Sequence, residues 1–76
     1  MIQEFNLREF LKQEIFKLNI NADLNSIGES LDSLDRLELV EILEKELGKD
    51  LLHLVNDKHF WSNLDNCIEI LKKELS

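Results

Sequence analysis

Ser33 is the residue of this chain whose neighbours most suggest chemistry. It stands in the run Asp32-Ser33-Leu34-Asp35-Arg36-Leu37-Glu38-Leu39-Val40, a serine at the start of a segment that reads as a helix acidic on one side. A hydroxyl in that position lies near the positive end of the helix dipole and near backbone amides that have no intrahelical partner, so an attached anion is well placed. A phosphodiester there gains about 0.3–1 kcal/mol from the dipole when exposed, while Asp32 and Asp35 oppose it through water. The two effects nearly offset, so the position matters more than the strength. Considered locally, Ser33 also reads as an ordinary serine at a helix start, where the residue is common.

The remaining reactive side chains offer less. His53 and His59 are six residues apart, a poor match to the spacing of four that puts two metal ligands on one helix face. No metal site is expected. Cys67 falls on an apolar stripe and reads as a small core residue, since buried structural thiols are usually inert. Phe60 and Trp61 read as packing residues. No general base, metal set or cofactor fingerprint accompanies Ser33, so the chain is not expected to be an enzyme.

The elements that must position Ser33 follow from periodicity. Leu7, Phe10, Leu11, Ile15 and Leu18 recur at helical offsets, which predicts a first amphipathic helix ending near Leu18. Its start is open between a capping box of Asn6 with Glu9 and an upstream extension of the stripe through Ile2 and Phe5. Asn19 to Asp32 is rich in Asn, Asp and Ser and reads as a long ordered loop pinned by Ile20, Leu24, Ile27 and Leu31; loops of this length are often functional. Asp32 is a good N-cap, and nothing breaks the helix from Ser33 to Leu47 until Gly48 closes it. On that helix Leu39, Ile42, Leu43 and Leu47 share the core face. Leu34, Leu37, Glu38, Glu41 and Glu44 fall on roughly the opposite side. Leucines displayed among carboxylates suggest a docking surface. A short third helix is expected around Leu51 to Asp57, and a fourth from Ser62 or Asn63 with Leu64, Cys67, Ile68, Leu71 and Leu75 inward and Lys72 and Lys73 suiting its C-terminal dipole. The expected fold is all-α: an irregular four-helix bundle with a long first loop and a short third helix.

Size and charge narrow the classes of function. The 76 residues make one domain, 1–76, since a chain this short buries only about 60% of its unfolded surface. A core of that size leaves little room for a catalytic cavity of roughly 300 Å³ or more. Sixteen acidic residues against nine basic ones give a formal charge of −7, which would repel a nucleic-acid backbone or an anionic membrane. The same charge favours solubility and steering toward basic protein surfaces. A single cysteine forms no internal disulfide, and no apolar run is long enough for a signal segment or a membrane span. A cytoplasmic monomer is expected.

With these features together, the chain resembles the acyl carrier protein family over nearly all of its length. The hallmark of that family is Asp-Ser-Leu opening the second helix before an acidic amphipathic run, and here it is Asp32-Ser33-Leu34. The resemblance implies an acyl-carrier-like four-helix bundle in which Ser33 carries 4'-phosphopantetheine, attached from coenzyme A and Mg²⁺ by a phosphopantetheinyl transferase. Acyl groups would ride as thioesters on its thiol, passed among loading, elongating or transferring enzymes of fatty-acid, polyketide or related biosynthesis. It also implies that Asp32 and Leu34 flank the arm and that Asp35, Glu38, Glu41 and Glu44 meet basic docking patches, with Leu34, Leu37 and Val40 in apolar contact. Exposed ion pairs worth about 0–1 kcal/mol each allow quick release of partners.

The chain departs from the family pattern in three places. Ser30 stands where many members have glycine, Glu41 replaces an often apolar residue, and Leu51-Leu52-His53 replaces the usual Ile-Pro. Trp61 beside Phe60 is distantly similar to D-alanyl carrier proteins, which makes an aminoacyl cargo one alternative. A helical adaptor that needs no chemistry at Ser33 is the other.

Overall fold

The computed structural model describes residues 4–76, with side chains from Leu7 onward. It contains α1 (Glu4–Leu18), α2 (Ile27–Ser30), α3 (Ser33–Leu47), a 3₁₀ helix (Leu52–Asn56) and α4 (Leu64–Leu75), and no strand occurs among the described residues. The protein is a small helical bundle. In it α1 packs on α4 and α3, and the 3₁₀ helix packs on α3.

Helix α1 begins ahead of Asn6, so the capping box at Asn6 and Glu9 does not form the start; Ile2 lies outside the described residues. Leu7, Leu11 and Ile15 are buried, and Phe10 and Leu18 pack at the edge. The inward stripe of α4 is buried as its spacing predicts, at Leu64, Cys67, Ile68 and Leu71, with Asn63 as its N-cap accepting from the Asn66 amide at 2.8 Å. Leu75 is exposed.

The segment expected as an ordered loop contains one helical turn, α2, and one of its four apolar pins departs from expectation. Ile27 and Leu31 are buried and Leu24 is half-buried, but Ile20 is 78% exposed. Polar side chains hold the segment instead. Asn19 Nδ2 donates to the Ser30 carbonyl at 2.8 Å, and Ser30 Oγ accepts from the Asp23 amide at 2.9 Å while donating to the Ser26 carbonyl at 3.1 Å. Ser30 therefore has a structural task that a glycine lacks a hydroxyl to perform.

The third helix is a 3₁₀ turn rather than an α-helix. Only five residues separate Leu51 from Asp57, and tight short turns of this kind are the usual use of 3₁₀ geometry. Its open carbonyls are met from the chain beyond: Trp61 Nε1 donates to the carbonyls of Leu54 at 2.9 Å and Val55 at 3.1 Å. Trp61 is thus a cap for that turn as well as a packing residue. Its ring meets Phe60 edge-on, with centroids 4.8 Å apart, a favoured aromatic geometry.

Candidate functional site

Asp32 is the N-cap of α3. Its backbone is extended, at φ −82° and ψ −178°, and its carboxylate accepts from the Asp35 amide at 2.8 Å. Ser33 is therefore the first residue of the helix, and it is exposed. Gly48 ends the helix in the left-handed conformation at φ 65°, its amide donating to the Glu44 carbonyl at 2.8 Å. Both ends follow from residue type: a short carboxylate reaches a first-turn amide, and glycine tolerates positive φ.

The residues around Ser33 separate into those that face solvent and those that hold the fold. Leu34 is 77% exposed, and Asp32, Glu38 and Glu41 are exposed beside it on the same helix. Asp35 and Leu37 are half-buried. Val40 is completely buried, which corrects its assignment to partner contact. On the wheel it lies about 60° beyond Leu43, at the edge of the core face, close enough to be covered by neighbouring elements, and burial leaves it nothing to offer a partner. Glu44 is also employed internally, since its Oε2 accepts from the Leu51 amide at 2.7 Å and so anchors the segment after α3. The surface left for docking is accordingly smaller than the wheel predicts: Leu34 at its centre, with Leu37 at the margin and Asp32, Asp35, Glu38 and Glu41 around them.

Arg36 was not among the residues singled out from sequence, although its type carried a signal. A cation in the first turn of a helix stands against the dipole, so some other interaction must hold it there. Its Nη2 donates to the Gly28 carbonyl at 3.0 Å and its Nε to the Leu31 carbonyl at 3.1 Å. One guanidinium thus fastens α2 and the end of the loop to the turn that presents Ser33. Gly28 is tied from the other side as well, its amide donating to the Trp61 carbonyl at 2.7 Å. A Cβ at Gly28 would lie 3.4 Å from both Trp61 Cβ and Trp61 O, at van der Waals contact.

Beside this staple lies a cleft of about 610 Å³, with Gly28, Glu29, Arg36, Val55, Lys58 and Trp61 among its lining residues. Its size falls within the roughly 300–1,000 Å³ of small-molecule sites. Ser33 and Arg36 are three residues apart on one helix and so are neighbours on its surface.

The other reactive groups stand elsewhere. His53 Nε2 lies 3.1 Å from Glu74 Oε2, joining the 3₁₀ helix to the end of α4. Cys67 is buried, its Sγ donating to the Phe60 carbonyl at 2.9 Å. Burial pushes its thiol from an ordinary 9.0 up to about 12, outweighing a backbone hydrogen bond that lowers it. No group of three or more His, Cys, Asp or Glu side chains able to hold a metal occurs among the described residues. Nor is any helix among them long and apolar enough to cross a membrane.

The arrangement provides an accessible hydroxyl on a capped helix start, an exposed leucine ringed by carboxylates, and a cleft one turn away. No protein-family model, curated protein or solved structure matches the chain.

Proposed function

We propose that this chain is a cytoplasmic carrier protein of the acyl carrier type, bearing 4'-phosphopantetheine on Ser33. The observation that carries the reading is the exposed Asp32-Ser33-Leu34 at the start of α3, with Leu34 77% exposed among Asp32, Asp35, Glu38 and Glu41. The residues present suit the group. Ser33 is exposed, the amides of Ser33 and Leu34 open the helix, and nothing buried must move for an attached phosphodiester to lie in solvent. When attached, the group supplies a thiol that holds acyl cargo as a thioester.

Attachment asks little of the chain. The Ser33 Oγ–P bond forms as the pyrophosphate bond of coenzyme A breaks, adenosine bisphosphate leaves, and a base of the transferase takes the hydroxyl proton. No partner base within the chain is needed. Docking follows from the charge, because a basic enzyme surface is drawn to the acidic start of α3 and Leu34 then enters an apolar depression. Contacts of this kind steer association more than they prolong it.

The test is the intact mass of the protein after incubation with coenzyme A, Mg²⁺ and a broad-specificity phosphopantetheinyl transferase. One added phosphopantetheine, lost in Ser33→Ala, is the expected result. If folded protein gains no mass with several transferases, the carrier reading is overturned. The exposed Leu34 then favours a second reading, an adaptor that binds basic partners through α3 without modification. An aminoacyl cargo is the variant of the carrier reading to which Trp61 points.

A further inference from the structure

Trp61 stands between the cleft beside Ser33 and the interior of the bundle. One side of it lines the cleft, yet the residue is only 3% exposed and belongs to the core, with Phe60 fully buried and edge-on behind it. It is fixed at several points. The indole N–H is committed to the Leu54 and Val55 carbonyls, and the backbone carbonyl receives the Gly28 amide. A side chain so held does not swing aside without breaking buried hydrogen bonds, each costly to leave unmade.

Resting on the carrier reading above, we infer that Trp61 is a length-selecting residue that confines tethered cargo to short acyl groups lying in the cleft rather than within the bundle. The cleft suits them. Trp61 and Val55 give it a small apolar wall, enough for a few carbons, while Ser26 and Asn56 bring polar side chains to an amide-bearing arm. In the core cluster that includes Trp61, Leu39, Leu43, Phe60 and Leu71 are buried completely. A long chain there must displace packed side chains, and overfilling a close-packed core destabilises it.

The deciding experiment loads ¹⁵N-labelled protein through the transferase with acetyl-, hexanoyl- and dodecanoyl-coenzyme A, adenosine bisphosphate leaving as each acylated arm is joined to Ser33, and compares amide and indole spectra. In the wild type, acetyl and hexanoyl cargo should shift Gly28, Lys58 and the Trp61 indole. Dodecanoyl cargo should leave the amides of Leu39, Leu43 and Leu71 unmoved. In Trp61→Leu, which opens the wall, dodecanoyl cargo should shift those three amides. Progressive shifts of the three core amides with chain length in the wild type overturn the inference while leaving the carrier reading intact, and this arm decides even if Trp61→Leu does not fold. Absence of any mass gain at Ser33 overturns the carrier reading, and the inference with it.

Discussion

At the scale of the residue, side chains near one another have unrelated tasks, and substitutions separate them. Ser33→Ala changes an exposed side chain with no packing role, so the unfolding midpoint in urea should stay within about 0.5 kcal/mol of the parent while mass gain from coenzyme A is lost. Asp32→Ala removes the cap that holds the Asp35 amide and should cost about 1 kcal/mol, measured by the same titration. Cys67 gives a prediction in pH. The fold favours its protonated form, with the thiol pushed from 9.0 up to about 12, so its contribution is complete below pH 9 and lost as pH rises from there toward 12. Within that window stability should fall by up to about 1.4 kcal/mol per pH unit through this group. The measure is the difference in alkaline slope between wild type and Cys67→Ala. A flatter curve for the variant is expected, together with no reaction of native Cys67 with a thiol reagent at neutral pH. The burial of Cys67 was legible in its spacing from Leu64 and Leu71. That of Val40 was not, because a wheel assigns directions but not how widely neighbouring elements wrap around a helix.

At the scale of the element, both ends of α3 were readable because Asp32 and Gly48 each have a local reason to be there, and the start of α4 was readable to within a residue or two, near Ser62 or Asn63. Periodicity likewise located the inward faces of α1 and α4. The single turn of α2 was not readable, since four residues hold too little periodicity and Gly28 looks like a breaker. Its existence depends on distant groups, Arg36 and the Trp61 carbonyl. The same holds for Glu44, which wheel geometry sends to solvent and which the Leu51 amide recruits. Glu44→Ala should therefore cost about 1–3 kcal/mol, the penalty for orphaning a partly buried donor. A solvated docking carboxylate such as Glu41 should change stability by less than about 0.5 kcal/mol on the same substitution, and paired urea titrations separate the two. Arg36→Ala should speed hydrogen exchange at the amides of Gly28 and Leu31 before those of the α4 interior.

For the whole molecule the governing quantity is the charge of −7. Like charges crowd a small surface, so raising salt should raise the melting temperature by screening that repulsion, while slowing association with a basic partner. Stopped-flow association rates over a salt series check the second effect, and calorimetry checks the first. The architecture adds a matter of timing. Two backbone hydrogen bonds join the long loop to the turn before α4, from the Gly28 amide to the Trp61 carbonyl and from the Leu64 amide to the Leu24 carbonyl. The loop that sets the stance of Ser33 thus settles only when residues up to Leu64 have left the ribosome. On the carrier reading proposed above, a transferase that recognises the finished loop would pass over nascent chains that stop short of Leu64, so folding order would set the earliest moment of modification.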